Sequence, residues 1–290
     1  PSDRRATPAE VKQDGRDYVP TDRRVLYGHH FAAIAGADPL VGPVLAAQIG
    51  YLPGTIWIIV SVVLAGAVQD YTVLFFSMRR GGRTIGQMAR QELGKIGGTA
   101  AIIASLPIML IIVAILAPVV VNALGESPWG VFSVAMTIPI AIFMGIYLRF
   151  LRPGKVTEVS IIGFVLLMAA IIGGGWVAGT DWGQAIFHLD RTTIAWGIII
   201  YGFIAAVLPV WLLLAPRDYL STFMKIGVIV MLAGAIILVR PEITVPAISI
   251  FGENGMGPVF AGPLFPSLSV TIACGALSGL HALLGSGTKA

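Results

Sequence analysis

Apolar runs long enough to cross a bilayer recur along the chain, separated by short polar or Gly/Pro-rich connections. A helix needs about 20 mostly apolar residues to span the hydrocarbon core. Runs of that kind fall at 31–50, 53–77, 99–121, 130–149, 158–178, 193–214, 219–239 and 266–286, which predicts eight spanning helices. One connection has its own pattern. In "TIGQMARQELGKIGG" (84–98), Ile85, Met88, Ala89 and Leu93 repeat at helical spacing among polar residues, predicting a short amphipathic helix on the membrane surface. The first run is irregular: "HHFAAIAGADPLVGPVLAAQ" (29–48) places Gly36, Asp38, Pro39, Gly42 and Pro43 near its middle.

Composition agrees with a chain built for lipid. Hydrophobic residues make up 56% and charged ones only 12%, against roughly 25% charge in soluble domains. Mean hydropathy is +0.86. The net charge of +4 does not come from a basic patch, so nucleic acid is not an expected partner. Topology accounts for it instead. The connections alternate in Lys and Arg: Arg4, Arg5, Lys12, Arg16, Arg23 and Arg24 precede the first span, Arg79, Arg80, Arg83, Arg90 and Lys95 follow the second, and Arg149, Arg152 and Lys155 follow the fourth. Arg217 and Lys289 fall on the same side, and only Arg191 and Arg240 on the other. Positive charge accumulates in cytoplasmic loops, so residues 1–30 are expected to be a cytoplasmic segment. The chain opens at Pro1 with a charged segment and no signal peptide, and it is expected to be a piece of a longer protein. Its one cysteine, Cys274, cannot form an internal disulfide or hold a metal alone.

Shifting the sequence against itself by 168 positions aligns the first span with the sixth and the second with the seventh. Identities include Ala37/Ala205, Leu40/Leu208, Tyr51/Tyr219 and Leu52/Leu220, and an unbroken "LAGA" at 64–67 and 232–235. A five-helix unit repeated this way must enter the membrane inverted, as in leucine-transporter-like secondary transporters, whose first helices are interrupted at the substrate site. The expectation is therefore an all-α polytopic membrane bundle with a truncated five-helix inverted-repeat core over 31–290, the first repeat at 31–178 and a partial second at 193–290. Gly36–Pro39 and Gly42–Pro43 would interrupt the first helix; Gly202, Pro209 and Pro216 would disturb the sixth. Exposed backbone at such breaks is tolerated in lipid only beside protein or a wet cavity.

Asp38, Asp70 and Lys225 lie inside spans, where charge is expensive and should face a cavity or a partner. Asp70, His30 and Lys225 are the proton-coupling candidates. For Asp70 a structural bond to backbone or to a basic residue stays open. Lys225 could snorkel to the surface or pair with Asp70 or Asp218. Gly36, Asp38, Pro39, Gly42, Pro43, Gln48, Pro209, Ser278 and His281 are the substrate-binding or gating candidates, the free backbone donors around Gly36–Gly42 facing the substrate's carboxylate. Two membrane histidines, His30 and His281, could instead ligate haem in an electron-transfer anchor subunit, which an absorption spectrum would reveal. A sensory domain that binds substrate without moving it is a third alternative. HExxH, nucleotide-binding and paired-Cys motifs are missing, so no enzymatic role, metal or cofactor is expected.

The long motifs are specific. "DYVPTDRRVLYGHHFAAIAGADPLVGPVLAAQIGYLPG" (17–54), "LAGAVQDY" (64–71), "SPWG" (127–130), "FMGIYLRFLRPGKVTEVS" (143–160), "AAVLPVWLLLAPRDYLSTFMKIG" (205–227) and "TIACGALSGLHALLGSGT" (271–288) together resemble the carbon starvation protein A (CstA) family over nearly the whole chain. The resemblance implies a bacterial inner-membrane carrier that takes up small peptides under carbon limitation or, in a close branch, pyruvate with protons, and it groups the chain with amino-acid–polyamine–cation transporters. Its implied partners are a small peptide or carboxylate, a proton and the lipid bilayer, with association of further copies left open. Asp38 stands where the family pattern carries a small residue, and Gly285-Ser286-Gly287-Thr288-Lys289 replaces the family's "SSGTTPK" continuation.

Overall fold

The computed structural model describes residues 6–14, 18–36, 38–257, 261–276 and 279–287, without the side chains of 38–40, 274–276, 279 and 280. The regular secondary structure of the described residues is helical, apart from one isolated bridge between Met256 and Ala261. In chain order the main helices are α1 (Arg23–Ile34), α2 (Asp38–Ala46), α3 (Tyr51–Arg79), α4 (Ile85–Glu92), α5 (Gly94–Leu124), α6 (Pro128–Leu151), α7 (Val156–Ala178), α8 (Asp181–Phe187), α9 (Arg191–Val207), α10 (Leu214–Val239), α11 (Ser269–Ala276) and α12 (Gly279–Gly285).

Five of these, α3, α5, α6, α7 and α10, are long and apolar enough to cross a membrane; α8 and α9, bent by 65° at their junction, make a sixth if counted as one span. This is a multi-pass membrane protein. The five coincide with the expected second, third, fourth, fifth and seventh spans. Among the described residues the other three expected spans, 31–50, 193–214 and 266–286, are not single long helices, which leaves five helices, or six with the bent pair, that are long and apolar enough to cross. Backbone chemistry gives the reason. Helix α1 stops at Ile34, Ala35 and Gly36 bend, and α2 restarts at Asp38. Helix α9 stops at Val207, and the turn through Pro209 separates it from α10. Pro216 sits in the first turn of α10, where the missing donor is not needed.

Two expected breaks are absent. Helix α2 runs through Gly42 and Pro43, because a nine-residue helix has few internal bonds for one proline to remove. Gly202 lies inside α9. The observed breaks also fall at different positions of the 168-residue shift: 35–36 corresponds to 203–204 within α9, and 208–213 to 40–45 within α2.

Two compact units form. The first takes the described residues of 6–8, 33–109 and 229–287. Its buried nucleus is Ala46, Ile49, Leu268 and Ile272, with Trp57 and Ile58 against it, and the Trp57 indole N–H donates to the Ser269 carbonyl at 3.2 Å. Helix α2 lies directly on α11. A Cβ at Gly42 would stand 2.6 Å from the Thr271 carbonyl oxygen, so only glycine permits this approach. The amphipathic α4 starts in a capping box between Thr84 and Gln87 and buries Met88, as its pattern predicts.

The second unit takes 9–32 and 110–228. Val25, Ile140, Met144, Val159, Leu167, Tyr219 and Leu220 form its core. Here a Cβ at Gly28 would meet the Tyr219 ring at 2.5 Å, and the Tyr219 hydroxyl shares a 2.7 Å hydrogen bond with Ser160. The spanning helices leave large apolar side chains uncovered, such as Ile103 at 65% and Val113 at 64% exposure on α5, as lipid-facing positions should.

Candidate functional sites in the two units

In the first unit, α3 carries Asp70 one turn beyond a π-helical turn at Val62–Gly66, within "LAGAVQDY". Such π turns recur at functional sites because they displace the side chains that follow. His281, on α12, faces Asp70 with its Nδ1 3.7 Å from Oδ2; the two side chains are 5% and 20% exposed. Asp70 Oδ1 is buried and has no hydrogen-bond partner among the described residues. Two serines hold α12 in place. The Ser77 hydroxyl donates to the Arg83 carbonyl at 2.7 Å and accepts from the Gly287 N–H at 3.0 Å, while Ser286 accepts from the Ile85 N–H at 3.2 Å. Asp70 and His281 thus come together, and α3 and α12 run in the same direction, ending beside each other.

The remaining candidates of this unit serve other contacts. Gly36 donates its N–H to the Ile34 carbonyl at 2.8 Å, closing the end of α1. Gln48 sits in a short 3-10 turn whose carbonyl accepts from Ser249. Gly42 and Pro43 lie inside α2 against α11. Asp38 and Pro39 open α2, but their side chains, like all of Ser278, lie outside the described residues.

In the second unit, one face of α10 clasps α1. Thr222 donates to the Gly28 carbonyl at 2.6 Å, Asp218 pairs with His29 Nδ1 at 3.0 Å, and Lys225 donates to the Ala32 carbonyl at 2.6 Å. The last four carbonyls of a helix lack intrahelical partners, and a cation there also meets the negative end of the helix dipole. Ala32 is within that last turn of α1. The interruption of the first span and the lysine in the seventh therefore answer each other: Lys225 caps a broken helix. His30 is half-buried on α1, next to the His29–Asp218 pair. Pro209 accepts the Leu212 N–H at 3.0 Å in the turn before α10.

The adjacent face of α10 lines a cavity of about 390 Å³ with α6 and α7. Its polar wall is Ser133, Thr137, Arg217, Asp218, Ser221 and Lys225. Arg217 is fixed by the Tyr201 hydroxyl at 2.8 Å and Thr137 at 3.4 Å and stacks over the Tyr201 ring at 4.6 Å. The Ser133 hydroxyl is buried with no hydrogen-bond partner among the described residues. Neither this cavity nor the His29–Asp218 pair is anticipated from sequence, although the 217, 221, 225 stripe carries the signal. No group of three or more His, Cys, Asp or Glu that could hold a metal occurs among the described residues.

Helices of membrane-spanning length that carry an acid–imidazole pair and a cavity with two cations define a polytopic membrane protein with ionisable groups among its apolar helices. The chain belongs to the carbon starvation protein CstA family, whose model matches residues 1–290. It is 65% identical over 288 residues to the peptide transporter CstA of Mycobacterium tuberculosis (strain ATCC 25618 / H37Rv), covering 99% of this chain and 38% of that one. It is 61% identical over 284 residues to the peptide transporter CstA of Escherichia coli (strain K12), covering 98% and 40%. The pyruvate/proton symporter BtsT of the same organism is 60% identical over 285 residues, with 98% and 40% covered. The chain thus spans about two fifths of the length of these relatives. No solved structure matches it significantly.

Proposed function

We propose that the chain is the core of a secondary active transporter that imports a small peptide or a small carboxylate such as pyruvate across the bacterial inner membrane together with a proton, in the response to carbon starvation. The observation that carries this reading is the Asp70–His281 pair, buried where α3 and α12 meet. One proton added or removed changes the charge of that pair by one unit, and uncompensated charge among spanning helices is costly. The loaded and unloaded pairs therefore favour different arrangements of the helices around them, which is what coupling requires. The names of the relatives, peptide transporters and a pyruvate/proton symporter, support the class and both substrate types. The Lys/Arg asymmetry supports a cytoplasmic N-terminal segment. The ungapped internal match supports the inverted-repeat architecture, with one helix group rocking against the other; the first and sixth runs are both interrupted, but not at matching positions of the repeat.

The test is uptake by the full-length protein in liposomes, using labelled L-alanyl-L-alanine and pyruvate in parallel, with and without an inward proton gradient. Accumulation of one of them above its external concentration only when the gradient is present supports the reading. Gradient-independent equilibration, or no entry of either, contradicts it.

A further inference from the structure

We infer that the cavity between α6, α7 and α10 seats the carboxylate of the transported molecule, with Lys225 and Arg217 supplying the charge and Ser133 and Ser221 the remaining hydrogen bonds; this rests on the transporter reading above. The wall is positive. Its charged residues are Arg217, Lys225 and Asp218; the one carboxylate, which also meets His29 Nδ1 at 3.0 Å, offsets only one of the two cations, so a net positive charge faces a hollow whose other sides include Val134, Leu167 and Met224. Cations among spanning helices need a countercharge, and a bound carboxylate provides one.

The donors are also available and aimed. A lysine ammonium has three N–H donors and a guanidinium five. The Ala32 carbonyl occupies one on Lys225, and Tyr201 and Thr137 occupy two on Arg217. Those same bonds fix both cations before any ligand arrives, so little freedom is left to lose on binding. Arg217, Ser221 and Lys225 follow one another at four-residue spacing along a single stripe of α10. Ser133 completes the constellation: a buried hydroxyl left without a partner is rare in folded proteins and calls for a ligand or water.

Size narrows the guest. A volume of about 390 Å³ holds on the order of a dozen water-sized groups at ~30 Å³ each, which suits a dipeptide and is about twice what a three-carbon keto acid fills. The carboxylate is common to both, so the experiment separates them. In the full-length protein otherwise free of cysteine, Val134→Cys, on the apolar side of the cavity, is alkylated with N-ethylmaleimide in the presence of L-alanyl-L-alanine, pyruvate or L-alanyl-L-alaninamide. The same preparation is assayed for uptake. The expected result is at least threefold slower alkylation with whichever acid the protein takes up and no slowing with the amide. Protection by the dipeptide alone, or by pyruvate alone, supports the site and names the source of the carboxylate.

Unchanged alkylation by a compound that the same protein does transport overturns the site while the transporter reading stands. Protection without uptake leaves the site standing and removes that reading, and neither protection nor uptake overturns both. A second arm uses Lys225→Met, which should raise the half-protecting concentration about ten- to a hundredfold, the loss of one charge-assisted bond. Lys225→Arg should recover most of it. Because Lys225 also caps α1, the milder Ser133→Ala is included and should raise that concentration several-fold with the fold intact. Half-protecting concentrations unchanged in both Lys225→Met and Ser133→Ala contradict the inference.

Discussion

Replacing Ser77 with alanine should loosen the site from a distance. The side chain is 0% exposed, and its one hydroxyl serves two backbone groups at once: it donates to the Arg83 carbonyl at 2.7 Å and accepts from the Gly287 N–H at 3.0 Å. Ser77→Ala removes both bonds and leaves a carbonyl and an N–H to find new partners. Each buried group so orphaned costs about 1–3 kcal/mol. Arg83 is exposed and Gly287 only half-buried, so water reaches part of the site and the lower half of that range applies, about 2–4 kcal/mol in all. Since these bonds tether the end of α12, the register of His281 against Asp70 should suffer too. The assay is thermal unfolding of the detergent-solubilised full-length protein followed by tryptophan fluorescence, with Ser105→Ala as the control. Ser105 also bonds a carbonyl, that of Ile102 at 2.9 Å, but within its own helix and on an exposed stretch, so its loss should stay within about 0.5 kcal/mol. A lower unfolding midpoint for Ser77→Ala is expected, with little change for the control. Midpoints within a degree of each other for the two variants would refute the reasoning.

Gly42→Leu should separate α2 from α11, since even a Cβ would stand 2.6 Å from the Thr271 carbonyl oxygen and backbone cannot rotate away; the overpacking cost of about 1–3 kcal/mol should appear as a lower unfolding midpoint and as faster proteolysis between α10 and α11. Thr84→Ala removes the capping box of α4 and should cost about 1 kcal/mol, with Thr84→Ser restoring stability in the same unfolding assay. Thr222→Val keeps the shape of the buried side chain while deleting its bond to the Gly28 carbonyl, and should cost about 0.5–1.5 kcal/mol; a neutral result would mean that the other contacts of α10, through Asp218, Tyr219 and Lys225, suffice to hold α1.

The sequence makes the long elements legible because continuous apolar length needs no tertiary information. The cores of α3, α5, α6, α7 and α10, and the amphipathic α4, are all readable that way. The interruptions near Gly36 and Pro209 are readable too, because glycine and proline act on their own backbone. The exact breakpoints are not. Gly42 and Pro43 look as disruptive as Gly36, yet α2 continues through them because its restart at Asp38–Pro39 places proline where a helix accepts it and because α11 packs on the glycine. Pairings are the least legible. Asp70 and His281 stand out separately as ionisable residues in apolar runs, but 211 positions part them and no local pattern joins them. Lys225 shows the same limit: a lysine in a span suggests a carboxylate or the surface, whereas its partner is a carbonyl freed by the break in α1.

The account turns on whether the acid of α3 carries the proton. Full-length wild type and Asp70→Asn, reconstituted side by side, should be compared for gradient-driven accumulation and for counterflow exchange of the same labelled substrate. Exchange that persists in Asp70→Asn while accumulation above the external concentration disappears is the predicted result. Accumulation by Asp70→Asn equal to that of the wild type would contradict it.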